Sequence, residues 1–478
     1  MKRSAGLLLC AALLAAGLAA CDDINTVSRP GQPVVLTGAD LPGLSGTAPS
    51  QIVALRHSRP RGVPTWTQIP VQVDERKVVA FGTQPASNAT AGVAGTVYGS
   101  GSGGATALQY ADPSTFVGAD GNPAFDADDE LVFMASDAGG RVRAGEETTP
   151  PGVVAGSGVV VQVDDPQGED LQGWVYLFRS TTLSPAAGQD YVDYDFVLAS
   201  GDYRTTYRRA DGPNPETSSV TTPTYRIEFT DRWYETSWEV LADGATGADV
   251  LDGHKNQFVV NNCGRSNLTF ADAEGAFVAN IDGPVRAIRS YIGANSGPKT
   301  QRTHLMYRDM EVIVTDLRVH AIPAMMDFVD HSAAAIGMTY LSSTLPGGAT
   351  IDGTQDVVPS AAPTWEAVTG QQGTIITTNR MVTSFPTPTM VSFYRDQTAP
   401  PEAQCWGDPS FLGASGVNIT SALPNTDPAA TPFGTLRGTR TVHFLAPVGD
   451  TAAVGAMGSG LAADFDEPLD VSAAPYQP

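Results

Sequence analysis

The sequence predicts an all-β protein of two sandwich-like antiparallel domains with few helices. Three observations carry that reading. Apolar runs are short and rich in β-branched and aromatic residues. Clusters of Gly, Pro, Asn and Asp separate them at strand-like spacing. Long segments with helical periodicity and helix caps are missing.

The chain opens on MKRSAGLLLCAALLAAGLAAC, with Lys2 and Arg3, then an apolar stretch too short to anchor in a bilayer, then small residues. Residues 1–20 therefore read as a secretory signal peptide and are set aside from the fold. Leu18-Ala19-Ala20-Cys21 resembles the lipobox of bacterial lipoproteins. The resemblance implies removal of the leader and lipidation of Cys21. Several acyl chains on one residue hold a protein at a membrane, where one chain binds only marginally. Asp22 follows, a position that retains lipoproteins at the inner membrane of enteric bacteria only, so the leaflet stays open. No later segment reaches the roughly 18 consecutive apolar residues of a spanning helix.

Residues 21–34 read as a lipidated tether and 35–210 as an N-terminal β domain. Its strands are WTQIPVQV (Trp66–Val73), ELVFM, GVVVQV (Gly158–Val163), GWVYLF (Gly173–Phe178) and YVDYDFVLA (Tyr191–Ala199). Ala86–Gly104 is a Gly/Ala/Ser-rich loop. The Pro-containing polar stretch Asp211–Thr224 is the best internal boundary. A C-terminal β-sandwich follows over 225–463, from YRIEFTDRWYETSWEV to RTVHFLA, and 464–478 is expected to be a frayed tail. The aromatic residues Tyr225, Phe229, Trp233, Tyr234 and Trp238 are expected in the core rather than on a sugar-stacking surface.

Net charge is −23, and the only lysines beyond the leader are Lys77, Lys255 and Lys299. Such a surface repels phosphate backbones, so nucleic acid is not an expected partner. G-x-S-x-G, H-E-x-x-H, the P-loop and the dinucleotide fingerprint are absent. Cys263 and Cys405 are the cysteines left after processing and lipidation. In an oxidising compartment they are expected to form a disulfide, with two buried thiols as the alternative.

DGNPAFDADDELVFM packs five carboxylates into the eleven residues from Asp120 to Glu130. No lysine or arginine stands between Lys77 and Arg141. Asp120, Asn122, Asp126, Asp128 and Glu130 are therefore candidate ligands for a structural calcium ion, which takes oxygen donors in flexible geometry. Phe125 and Leu131 stand where an EF-hand needs glycine and glutamate, so the site would be of another kind. The alternative is a solvated acidic turn.

The second candidate is a locally basic hairpin, QRTHLMYRDMEVIVTDLRVHAI. From Val285 to His320 six basic residues, Arg286, Arg289, Lys299, Arg302, Arg308 and Arg318, meet three acids. Period-two alternation puts Arg302, His304 and Met306 on one face, and Asp316, Arg318 and His320 on one face of the next strand. If those faces coincide, Arg286, Arg289, Arg302 and Arg318 bind an anionic ligand such as a uronate glycan. His304, His320 or Tyr307 would then move protons in a β-elimination. The alternative is a sheet face whose charges pair with one another. A copper reading of the same window, from Met306, Met310, Met325, Met326 and Met338 near His304, His320 and His331, competes with methionine as core filler.

Three phrases, IPVQVDE (Ile69–Glu75), DADDELVFMASDAG (Asp126–Gly139) and DGPVRAIRSYIG (Asp282–Gly293), resemble phrases in the same order in uncharacterised secreted bacterial proteins. Some of those are similar to the β-supersandwich group of mutarotase-like and polysaccharide-lyase domains. The resemblance implies a β fold and assigns no catalytic residue. The expectation is a lipid-anchored envelope protein that binds, or helps to process, a glycan or other anionic polymer. A polysaccharide lyase or hydrolase and a purely structural lipoprotein are the alternatives.

Overall fold

The computed structural model describes residues 25–80, 106–115, 117–168, 171–198, 216–231, 234–257, 276–292, 300–318, 324–383, 388–400, 408–423 and 435–478. It is an all-β protein whose strands pair antiparallel, with a single α-helix, Thr451–Asp466, among the described residues. No helix among them is long and apolar enough to cross a membrane. The chain divides into two units that interleave in sequence. The first takes Met1–Arg76, Gly121–Asp190 and Glu467–Pro478, and the second Lys77–Asp120 and Tyr191–Asp466.

In the first unit a five-stranded sheet runs in the spatial order Asp470–Pro475, Val159–Asp164, Gln172–Arg179, Ile52–Ser58, Thr65–Ile69. A three-stranded sheet, Pro33–Thr37, Glu130–Met134 and Gln72–Asp74, belongs to the same unit. Alternation in VVVQVD sends Val159, Val161 and Val163 inward, where they join Val175, Leu177, Leu36, Leu131 and Phe133 in one core. The GWVYLF run is apolar without interruption because both of its faces are covered. Val175 and Leu177 face that core, while Trp174, Tyr176 and Phe178 pack with Val53, Leu55 and Tyr476 on the other side.

Both ends expected to be loose are built into this unit. In the tether, Asn25 bonds the carbonyl of Ala135 at 2.8 Å, and Arg29 is buried against Asp165 through contacts of 3.0 and 2.6 Å. Burial works to raise the Asp165 pKa, but the bonds from Arg29 and Ser28 outweigh it and hold the carboxyl down to about 2. In the tail, Asp470–Pro475 adds an edge strand to Val159–Asp164, and the Tyr476 N–H reaches Gly158 O at 2.8 Å. The sequence shows no strand pattern there because an edge strand with mostly exposed residues needs no apolar alternation, and proline is tolerated at an edge.

The second unit has a nine-stranded sheet in the order Ala276–Ile281, Ala287–Ile292, Gln301–Met306, Met310–Arg318, Thr435–Leu445, Gly373–Thr383, Trp365–Gly370, Thr339–Ser342, Leu345–Thr350. Two four-stranded sheets accompany it. One is Asp193–Asp195, Ser218–Thr221, Tyr225–Asp231, Tyr234–Val240, and the other Leu251–Gln257, Met325–His331, Ser410–Ile419, Met390–Thr398. The expected boundary at 211–224 is not a division. Ser218–Thr221 pairs with strands on either side of it in sequence, and the chain already passes from the first unit to the second after Asp190. The aromatic core expectation holds for Tyr225, Phe229 and Trp238, all buried.

Candidate functional site

The basic hairpin forms as expected, Gln301–Met306 against Met310–Arg318, but its faces do not. Arg302 lies opposite Thr315, His304 opposite Ile313 and Met306 opposite Glu311. Cross-strand partners share a face, so Arg302 and His304 lie with Glu311, Ile313 and Thr315, and Asp316 lies on the other side. There Asp316 takes its own partner, Arg437, at 2.7 and 3.0 Å. Four residues, Tyr307 to Met310, separate the Met306–Glu311 pair, and that loop length sets the register. Arg318 is described through its backbone alone, opposite Thr435. His320, Cys21, Cys263 and Cys405 lie outside the described residues.

The face that carries Arg302 and His304 points into the protein. Arg286, Arg289, Arg302 and His304 are each at most 2% exposed, so they do not form the expected surface patch. Each arginine has a built partner. Arg289 grips Glu216 through bonds of 2.9 and 2.5 Å, donates to Tyr194 Oη at 3.1 Å, and lies over the Phe229 ring at 4.2 Å. Arg302 donates to Thr315 at 3.0 Å and Asn256 at 2.7 Å. Arg440, from the next strand of the sheet, meets Asp327 at 3.1 Å, which also bonds His254 at 2.7 Å. Arg286 donates to Tyr307 Oη at 3.1 Å and stacks on Tyr110. Tyr307 is buried with it and lies next to no open space that the hairpin reading requires. Met306, Met310, Met325, Met326 and Met338 are all buried core, as the filler reading expects.

At the centre of this interior His304 Nδ1 is 2.8 Å from Glu311 Oε1 and 2.8 Å from Glu235 Oε1. Trp238 Nε1 donates to the other Glu235 oxygen at 2.9 Å. Burial works against a charge on His304, but the two carboxylates outweigh it and raise its pKa. Burial, and then the charge of Glu235, push Glu311 up to about 7. Burial alone would raise Glu235 as well, yet the close imidazole of His304 holds it down to about 2. Of the two acids, Glu311 keeps the proton. A cavity lined by Trp238, Glu366 and Arg440 measures about 10 Å³, room for one water at most. A polymer does not enter here.

Sequence reasoning missed a second buried charge centre. Lys255 is fully buried, with Nζ 2.8 Å from both Asp330 and Asp408, in contact with Asp252, and 5.2 Å from the centre of the Phe411 ring. Gly253 makes room beside it for Tyr234, since a Cβ there would stand 2.1 Å from Tyr234 Oη. Burial pushes Asp330 up to about 7 despite the ammonium, and the aspartates raise the Lys255 pKa in return. The scarcity of lysine was the available signal.

The acidic loop has a base that the sequence reading overlooked, because it stands one residue outside the Lys77–Arg141 interval. Arg76 bonds Glu130 at 2.6 Å and the carbonyl of Asp128. Asp129, buried, accepts the N–H groups of Arg76 and Asp126 at 2.8 and 2.9 Å. Asn122 donates to Asp126 at 2.7 Å. A hydrogen bond with Asp126 pushes Asp128 up to about 6 and lowers Asp126, so the pair shares a proton below about pH 6. Ligand oxygens of Asp126, Asp128 and Asp129 come within 4.8 Å of one another. Glu130 is held by Arg76, and Asp120 belongs to the second unit.

Open grooves lie elsewhere, and one is in the first unit. On the far face of the five-stranded sheet of the first unit lies a groove of about 420 Å³. Trp174, Tyr176 and Tyr476 wall it, with Arg141, Glu147 and Gln162 around them. Tyr176 and Tyr476 meet edge to face at 5.2 Å, and Trp66 closes on Tyr176 at 4.9 Å. The Tyr176 hydroxyl accepts the Val142 N–H at 2.7 Å, and the Tyr476 hydroxyl donates to Thr148 O at 3.2 Å, so the wall is rigid. The signal for it was the Trp-x-Tyr-x-Phe alternation within GWVYLF, masked by the apolar residues between. Comparison with known proteins finds no family model that matches the chain and no curated protein that matches it.

Proposed function

We propose that the chain is an exported, lipid-anchored envelope protein that binds a glycan in the groove of its first unit. The observation that carries this is the groove itself, lined by Arg141, Glu147 and Gln162 over the buried rings of Trp174, Tyr176 and Tyr476. Fixed polar groups over a rigid apolar floor bond the hydroxyls of a sugar and hold its orientation. Arg141, exposed at the groove, suits a uronate carboxylate, which guanidinium binds bidentately.

The test is calorimetric titration of the mature protein against acidic and neutral oligosaccharides. Gln162→Ala, which spares the buried Trp174, is expected to weaken binding roughly tenfold. Arg141→Ala is expected to weaken acidic ligands and spare neutral ones. Absence of binding to every oligosaccharide would leave the structural lipoprotein instead. Cys21→Ala is expected to move the protein from the membrane to the soluble fraction, and a variant that still sediments with membranes removes the lipid anchor from the reading.

Calcium at the Asp126–Asp128 pair belongs to the same reading, the ion taking the place of the shared proton. Calcium is expected to raise the melting temperature of chelated protein more than magnesium does, and to have no effect on Asp126→Asn with Asp128→Asn. An unchanged melting curve in the wild type leaves a solvated turn.

A further inference from the structure

We propose that Glu235, His304 and Glu311 form a buried site for a divalent transition metal of the zinc or manganese class, independent of the groove. The three residues come from three strands, Tyr234–Val240, Gln301–Met306 and Met310–Arg318, and from two sheets. Each is at most 2% exposed. Their ligand atoms lie within 4.8 Å of one another.

Two observations ask for a cation here. The first is the count of hydrogen-bond donors. The imidazole has one Nδ1–H, and two carboxylate oxygens reach for it at 2.8 Å. The bond goes to Glu311, and Glu235 Oε1 and Glu311 Oε2 stay buried without a donor. An unpaired buried acceptor costs roughly 1–3 kcal/mol, more when it is charged.

The second is the count of charges. Of the cations nearby, Arg289 is neutralised by Glu216 and Arg440 by Asp327, while Arg302, bonded to the neutral Asn256 and Thr315, sets one positive charge near the two glutamates. The comparison with Lys255 is instructive. That centre also gathers carboxylates in the same unit, and it has its ammonium among them. The Glu235–Glu311 pair has a histidine, and with Arg302 nearby it is one positive charge short, which a proton shared by the glutamates or a metal cation supplies. The metal cation bonds both carboxylates and the imidazole at once.

Donor type sets the class. An imidazole nitrogen with two carboxylates suits zinc, manganese, iron or cobalt, whereas calcium and magnesium favour all-oxygen shells. Zinc–nitrogen and zinc–oxygen bonds of about 2.0–2.1 Å in tetrahedral geometry set ligands about 3.3 Å apart. The present separations need to open by roughly half an ångström, a side-chain adjustment. Glu311 Oε2 is placed to make that ligand bidentate. The ion would tie the facing sheets together from inside, and its burial means that it enters as the chain folds.

The experiment uses the full mature chain with Asp126→Asn and Asp128→Asn, which removes the acidic loop as a competing site. The protein is unfolded in denaturant with chelator, freed of both, and refolded with cobalt(II) or zinc. About one equivalent of metal per chain is expected to survive gel filtration, with cobalt giving the visible ligand-field bands of a nitrogen-containing, low-coordinate site. Metal uptake is expected to release up to about two protons, so one pH unit of acidification weakens it by as much as about a hundredfold. Glu311→Gln and Glu235→Gln, checked for folding by circular dichroism, are expected to lose the bands. Refolded wild-type triad that holds no metal and shows no bands overturns the site, as does metal that persists unchanged in both glutamine variants. If those variants do not fold, the wild-type stoichiometry and proton release decide alone.

Discussion

At the scale of single residues, charge in the interior decides more than charge at the surface. Lys255 is the sharpest case, because one ammonium serves three carboxylates and is itself fully buried. Removing one member of such a set leaves uncompensated charge in a poorly solvated place. Lys255→Met is expected to destabilise the protein by about 3 to 5 kcal/mol, read as a lower urea midpoint. A loss under about 1 kcal/mol would mean that water reaches the aspartates and that the ammonium is dispensable. Residue types were legible in the sequence, partners were not. Alternation placed Arg302, His304 and Met306 on one face, and the structure keeps them there. Nothing local announced that Asn256, Glu235, Asp327 and Glu216 would arrive from distant strands to meet that face and its neighbours, and so a patch expected on the surface became an interior.

At the scale of elements, strands were legible where burial forces a pattern and illegible where it does not. Val159–Asp164 alternates because one side is core. Asp470–Pro475 has five of its six residues exposed and carries no such imprint, although its register against Val159–Asp164 is complete. Deleting residues 470–478 is expected to leave Val159–Asp164 as a new edge and to strip Tyr476 from the groove. Hydrogen exchange of its amides should quicken, with a loss of glycan affinity. Unchanged protection would show that the terminal strand is ornamental. The helix Thr451–Asp466 escaped notice for a different reason. Val454, Met457, Leu461 and Ala462 make an apolar stripe that packs on Trp365 and Ile376, but the glycines and small residues between them dilute it.

At the scale of the whole molecule, the titration of buried groups sets how stability follows pH. Burial pushes Glu366, Asp330 and Glu311 up to about 7, so the native state holds protons there that the unfolded chain has released. Between the ordinary carboxyl range and pH 7 those three acids favour lower pH. Burial also lowers His254, His331 and His443 to about 4, so between 4 and 6.5 the unfolded chain takes up protons that the native state refuses. Those three favour higher pH over the same window, and the two sets largely offset. Stability is expected to be nearly flat from about pH 4.5 to 6.5. It should fall below that range as carboxyls such as Asp165, held down to about 2, are protonated. His331→Gln with His443→Gln removes part of the offset. The flat region should then tilt toward acid by up to about 1.4 kcal/mol per pH unit for each histidine removed. A double variant that stays flat in chemical denaturation would show that these carboxyls titrate normally. The acidic composition foretold none of this, since net charge reports the surface and these groups are hidden from it.

The terminal strand also fixes an order of events. Synthesis runs from the N-terminus, and the sheet that begins with the first unit's earliest strands is finished by Asp470–Pro475, after all of Tyr191–Asp466 has been made. At ribosomal rates of about 5–20 residues per second the first unit waits on the order of tens of seconds with an open sheet edge. Under the proposed export, the sheet of the first unit would gain its edge strand only after Asp470–Pro475 had crossed, so its last pairing would form late.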